Sequence, residues 1–304
     1  MKHCMKTALT LLLTLALTLG ALPAQVLAES LYIIPDSDTR KLTREELWNY
    51  QYDTLLYAFN EIYARHGYKF ETGSRCYNWF TLMPWYHPNA SESATNHHET
   101  YAACSAIENY NVDLIKAVRK EMRDAKTLNP KGIGMPKPPA RNVNKPRGFE
   151  FVSLRANQKL PVYTAPSTSA FRANNGKALV NTSGAVYAMG WENGFLLMLY
   201  EANAAGQYRV GYITGIKGQL PDLPLLGWER SSRKVISSVS LTDDPALTAN
   251  PIGRIPVGAT VTYLTTMFND QAWDYVETVI DGKVARGFIP AGYLEGDFSG
   301  DDVG

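Results

Sequence analysis

The chain has 304 residues, 45% of them hydrophobic and 19% charged, with 30 lysines and arginines against 29 aspartates and glutamates. That length supports more than one compact unit. The near-zero balance excludes the basic footprint on which general nucleic-acid binding depends.

The first 28 residues have the three parts of a secretory signal in order. Lys2, His3 and Lys6 form a basic start, Ala8 to Leu19 an apolar run, and Val26-Leu27-Ala28 a processing site that predicts cleavage before Glu29. The apolar run is too short for a membrane span of roughly 20 residues. Cys4 precedes that run, so it is not placed as a lipid anchor. Cleavage leaves Cys76 and Cys104, and two cysteines in an exported chain predict a disulfide. The alternative is a catalytic thiolate with His66, His87, His97 or His98 as its base.

After a short lead (29–40), residues 41–126 read as helical. Thr43-Arg44-Glu45-Glu46 is a capping box, and Leu47, Leu55, Phe59, Ile62 and Tyr63 fall on one helix face. His66-Gly67 ends that helix, since glycine takes the left-handed position past a helix end at little cost. A dense aromatic stretch from Tyr77 to Tyr86 follows. Ser105-Ala106-Ile107-Glu108 is a second capping box, and Ile107, Tyr110, Leu114, Val118 and Met122 continue its helix. Residues 127–148 are rich in proline, glycine and basic side chains and predict a linker.

Residues 149–215 and 234–295 read as two small all-β units joined by a second linker at 216–233. Alternating runs predict strands at Leu160–Tyr163, Ala185–Met189, Phe195–Tyr200 and Tyr208–Ile213, then at Val239–Leu241, Thr260–Leu264, Trp273–Val279 and Arg286–Ile289. Arg209-Val210-Gly211-Tyr212-Ile213 parallels Arg286-Gly287-Phe288-Ile289, which indicates an internal repeat. The acidic end, 296–304, predicts a disordered tail.

Tyr63-Ala64-Arg65-His66-Gly67 resembles the motif that names the YARHG domain, a small extracellular bacterial domain. Asn60-Glu61-Ile62 before it, Tyr68-Lys69-Phe70 after it, Phe80, Trp85-Tyr86 and Ile107-Glu108-Asn109-Tyr110-Asn111 extend the resemblance. The two β units resemble bacterial SH3-type domains through Val162-Tyr163-Thr164-Ala165-Pro166, Gly190-Trp191-Glu192-Asn193-Gly194 and Gly211-Tyr212-Ile213. The second copy keeps Gly287-Phe288-Ile289 and Trp273-Asp274-Tyr275-Val276, without a clear counterpart of Val162-Tyr163. This implies a helical domain followed by two SH3-like barrels, and an attachment to cell wall or surface peptides.

Arg65 and His66 suit either an anion site or a structural turn, and their place at a helix end favours the turn. His87, His97 and His98 lie near Glu92 and Glu99 without HExxH or CxxC spacing, so no metal or other cofactor is expected. Neither GxSxG nor a P-loop is present. Tyr163, Tyr187, Trp191, Tyr212 and Trp273 are candidate walls of a peptide groove, with Trp191, expected in a turn, the best exposed. The sequence thus predicts a non-enzymatic exported binding protein. Its rivals are a cell-wall hydrolase or metal-dependent enzyme with the helical domain as catalyst, and a structural or sensory component with an exported protein partner.

Overall fold

Thr43 begins the first helix as its capping box predicts: its hydroxyl accepts from the Glu46 amide, and the Glu46 carboxylate accepts from the Thr43 amide. In the computed structural model, which describes residues 31–91, 98–139, 148–202, 207–216, 218–220, 222–244, 251–269 and 271–296, that helix is only α1 (Arg44–Leu47). The signal sequence and residues 297–304 lie outside the described residues. The single helix expected up to His66 is interrupted, and α2 spans Tyr52–Arg65. The cause lies in the presumed linker. Gln51 N–H donates to the Ile133 carbonyl at 2.9 Å, Ile133 N–H to the Asn49 carbonyl at 2.7 Å, and the Asn129 carboxamide to the Trp48 and Tyr50 carbonyls. These bonds hold the backbone extended between α1 and α2. The start of the proline-rich segment is therefore packed along the helices, with Leu128 and Met135 against their core.

α3 (Arg75–Phe80), α4 (His98–Ala103) and α5 (Ala106–Asp124) complete the helical region. α5 starts at the predicted Ser105–Glu108 capping box. It buries Val112, Ile115, Val118 and Met122 against Leu55, Phe59 and Ile62 of α2. Trp79 and Phe80 of the aromatic stretch are fully buried.

The β region contains the same arrangement twice. In the first repeat, β1 (Glu150–Val152), β4 (Val186–Glu192), β5 (Phe195–Glu201) and β6 (Tyr208–Ile213) form a four-stranded antiparallel sheet in the order β1-β4-β5-β6, beside a hairpin of β2 (Lys159–Pro161) and β3 (Leu179–Asn181). In the second, β7 (Ser231–Lys234), β10 (Thr260–Phe268), β11 (Ala272–Ile280) and β12 (Lys283–Pro290) form the corresponding sheet, beside a hairpin of β8 (Val239–Leu241) and β9 (Gly253–Ile255). Even the irregularities correspond: register shifts between Ala188 and Gly190 in β4 and between Tyr263 and Thr265 in β10. The described strands form open sheets, and each hairpin reaches the last strand of its sheet by one bridge, Tyr163 to Tyr212 and Thr242 to Phe288.

Those bridges supply the counterpart of Val162-Tyr163 that the sequence hid. A Cβ on Gly211 would stand 2.5 Å from a Val162 methyl and 3.1 Å from the Tyr163 carbonyl. A Cβ on Gly287 would stand 2.6 Å from the Thr242 carbonyl and 2.9 Å from Leu241 Cγ. Each glycine lets the hairpin cross the last strand at backbone distance, and Leu241-Thr242 replaces Val162-Tyr163.

The repeats share a core. Phe149, Met189, Leu197, Leu199, Val210 and Tyr212 from the first sheet pack with Leu264, Trp273, Tyr275 and Phe288 from the second. The helical region joins them through Phe268, whose ring lies 5.0 Å from Trp79 and 6.1 Å from Tyr57. The Asn78 carboxamide donates to Thr265 Oγ1 at 2.9 Å and the Thr266 carbonyl at 3.0 Å. From Leu31 onward the chain is one compact unit.

Candidate functional site

The YARHG-like motif is a helix stop. Tyr68 N–H donates to the Tyr63 carbonyl and Gly67 N–H to the Ala64 carbonyl, at 3.1 and 3.0 Å. These are the two bonds of a Schellman motif, with Gly67 at φ +83° in its left-handed position. Stacking of Tyr63 on Tyr68, centroids 5.9 Å apart, is the apolar contact that accompanies it. Ala64 is buried. Arg65 donates to buried Glu61 at 2.6 Å and to the Ile34 carbonyl at 3.0 Å, and its guanidinium lies over the Tyr32 ring. Glu61 also accepts the Ile33 amide at 2.6 Å. His66 Nε2 lies 2.7 Å from Glu108 Oε1, joining the end of α2 to the cap of α5. Burial opposes the Glu108 charge, but the Ser105 amide and His66 outweigh it and hold its carboxyl below the usual range. The Arg65 and His66 side chains are thus engaged within the helical region.

The expected disulfide is absent: Cys76 and Cys104 are free and buried. Cys104, just past the end of α4, donates its Sγ–H to the Thr100 carbonyl at 3.4 Å. Cys76 is packed into the helical core at 0% exposure. Burial pushes Cys76 up to about 12 and Cys104 to about 11. Such thiols stay protonated at neutral pH, so neither is poised as the thiolate nucleophile of a hydrolase. His87 and His98 are exposed, and Glu99 accepts from the Asn89 carboxamide. Glu92 and His97 lie outside the described residues. Among those described, no three His, Cys, Asp or Glu side chains could hold a metal ion, and no helix is long and apolar enough to cross a membrane.

The five candidate aromatics do not share one wall. Tyr212 and Trp273 are buried in the core between the repeats, at 0% and 1% exposure. Trp191 is in β4, not in a turn; Asn193-Gly194, both at positive φ, make the turn. Its N–H donates to the Pro224 carbonyl and its carbonyl accepts from Leu226, so the presumed second linker covers its strand. Tyr187 is half-buried, edge-on to Phe151 and Tyr208. Tyr163 is half-buried and edge-on to Phe195, and it lines a cleft.

The strongest polar cluster joins the repeats. Glu192 of the first accepts from Arg286 of the second at 2.6 and 3.1 Å, from Trp228 Nε1 at 2.6 Å and from Tyr212 Oη at 3.0 Å. Arg286 is buried and also donates to Glu277 at 2.7 Å. Burial would raise the Glu192 carboxyl, but Arg286, Trp228 and Tyr212 together hold it below the usual range. The reverse pair also exists: Arg209 of the first repeat binds Asp243 of the second. Each repeat therefore sends the arginine of its last strand into the other. The sequence set the runs from Arg209 and Arg286 side by side, but the glycine crossings place Arg286 level with Val210, and nothing in the sequence marked Glu192 or Asp243 as the partners of these arginines.

Beside this seam lie two adjoining clefts that share Phe171 and Asn175. The larger, about 900 Å³, is bordered by Asn174, Asn181, Tyr200, Arg209, Asp243 and Ile252 among others. The smaller, about 800 Å³, is bordered by Tyr163, Arg172, Asp281 and Lys283. Phe171 is fixed between them: its N–H donates to the Val284 carbonyl at 2.7 Å, and its carbonyl accepts from Thr164 N and Oγ1 at 3.0 and 2.9 Å. Both clefts fall within the volume range of ligand sites. The Asn174-Asn175-Gly176 turn separating them is left-handed throughout, at φ of 55°, 53° and 79°.

The Schellman stop, the Arg65–Glu61 pair and the His66–Glu108 link occur within one matched family segment. Residues 30–120 match the model of the YARHG domain family. Beyond this domain the likenesses are faint. Two solved structures from Trichomonas vaginalis, of NlpC2 and NlpC1, are each 16% identical with a TM-score of 0.20. The first match covers 50% of this chain and 50% of that one; the second covers 49% and 45%. The chain thus spans about half the length of these structures, and at that TM-score the likeness carries no argument. No curated protein matches.

Proposed function

We propose that the chain is an exported, non-enzymatic binding protein that associates with cell wall or surface peptides through the groove between its two β repeats. In this reading a signal peptide (1–28) is removed, the YARHG domain (41–126) is a rigid platform, and the two repeats (149–215 and 234–295) are SH3-like barrels. The groove carries the proposal: two preformed clefts meet at a fixed aromatic side chain, along the seam where the repeats lock together. The hairpin-to-last-strand bridges in both repeats and the extracellular setting of YARHG domains support the same reading. The ligand engages one composite groove, not two independent modules whose avidity would add.

Co-sedimentation with purified peptidoglycan tests this. The chain from Glu29 should pellet, and Lys283→Glu, at an exposed cleft residue, should reduce the pelleted fraction several-fold. A chain that stays in the supernatant at all protein concentrations removes the wall-binding reading.

A further inference from the structure

The larger cleft has a chemical character that narrows its ligand, and the inference rests on the groove reading above. Its border is rich in carboxamides: Asn174, Asn175 and Asn181. A carboxamide offers both donors and an acceptor without net charge. Its charged side chains do not form a field of one sign. Arg209 is already paired with Asp243, while Lys177 and Glu201 stand on the border with opposite charges. This suits a ligand with many neutral donors and acceptors better than a phosphate or a carboxylate-rich chain, which needs clustered cations.

The second feature is aromatic. Phe171 borders both clefts, three hydrogen bonds hold its backbone N–H and carbonyl, and its side chain packs partly buried against the core of the second repeat. An aromatic face beside planar polar groups matches a pyranose ring, which has an apolar C–H face and equatorial hydroxyls. Tyr163 borders the adjoining cleft and gives a second ring on the same path. An extended peptide would instead engage side-chain pockets or a sheet edge such as that of β3, whose Leu179 and Asn181 also border the cleft, and the tetrapeptide below tests that alternative.

We propose that the seam groove binds a neutral oligosaccharide, with Phe171 as the stacking platform and Asn174, Asn175 and Asn181 as its hydroxyl- and amide-binding groups.

Calorimetric titration of the chain from Glu29 tests the proposal with two soluble probes: chitotetraose, a neutral sugar with the amide chemistry of wall glycan, and a free wall-stem tetrapeptide. Chitotetraose should bind, and Asn174→Gly/Asn175→Gly should weaken it about tenfold, the scale of losing one or two hydrogen bonds. Glycine keeps the left-handed backbone of that turn, so this double variant removes the carboxamides while retaining the fold. Phe171→Leu should weaken sugar binding with the same sign. Undiminished sugar binding by the double variant overturns the assignment. Binding of the tetrapeptide alone, lost in Lys283→Glu, overturns the sugar class and leaves the binding-protein reading standing. Failure of both probes together with failure to pellet with peptidoglycan overturns both.

Discussion

Gly67 shows what a single residue does here. Its φ of +83° closes the Schellman motif, and a Cβ there would stand 3.2 Å from the His87 carbonyl. Gly67→Ala should cost about 1–2 kcal/mol, the penalty of a side chain in the left-handed region, read as a lowered urea midpoint at unchanged slope. An unchanged midpoint would mean that the motif does not act as the helix stop. The two thiols make a second residue-scale prediction. Folded protein under non-reducing conditions should react with no thiol reagent within minutes, and two thiols should appear on unfolding. No thiols after unfolding would restore the disulfide that the sequence suggested. Asp274 makes the third. Burial raises its carboxyl to about 6, against a hydrogen bond from Thr266 at 2.8 Å that works the other way. A folded-state value above the unfolded one means that the folded protein binds this proton more tightly. Stability therefore falls as pH rises from about 4 through 6, and the cost is complete above that. Asp274→Asn should gain on the order of 2–3 kcal/mol at pH 8 and almost nothing at pH 4. An equal effect at both pH values would refute a buried titrating carboxyl.

Secondary-structure elements divide by how they are encoded. β4, β5, β10 and β11 were legible because large apolar residues fill them, in β5 as a continuous run. β7, Ser231-Ser232-Arg233-Lys234, has no such pattern and is a strand because β10 pairs with it. β1, β3 and β9 have three residues each and were not read as strands, whereas β8, equally short, was. The break between α1 and α2 was hidden for a similar reason, since it is imposed by Asn129 and Ile133, some 80 residues away in sequence. The groove followed the same rule. Tyr163 was found by its motif, Asn174 and Asn175 read only as a turn, Phe171 in a loop and Asn181 at the end of β3 gave no signal of a site, and Tyr212 and Trp273 are core. The joining elements carry the clearest energetic prediction. Arg286→Met leaves Glu192 buried without its main counter-charge and should cost about 3–5 kcal/mol. Arg286→Met combined with Glu192→Gln should cost less than the sum of the two single changes, because both remove one shared interaction. Additive losses would show that the pair does not couple the repeats.

The whole molecule is organised by exchange between its parts. The described parts of the segments that look like linkers are wedged into the structure. The first holds α1 and α2 apart. The second contributes Trp228 to Glu192 and Glu229 to Arg75, whose guanidinium it binds at 2.9 and 2.6 Å. Gly227 N–H donates to the Thr72 carbonyl, bringing the YARHG domain into the same junction. Phe268 lies in the helical core and the Arg209–Asp243 and Arg286–Glu192 pairs cross between repeats, so no part can leave without exposing a buried charge or aromatic ring. The groove exists only while both repeats hold this arrangement, which links the fold to the proposed function. Scanning calorimetry of the chain from Glu29 tests this most directly. One transition with equal calorimetric and van't Hoff enthalpies, shifted as a whole by Arg286→Met, is the predicted result. Separate transitions for the helical region and the repeats, with Arg286→Met moving only one, would contradict a single interlocked body.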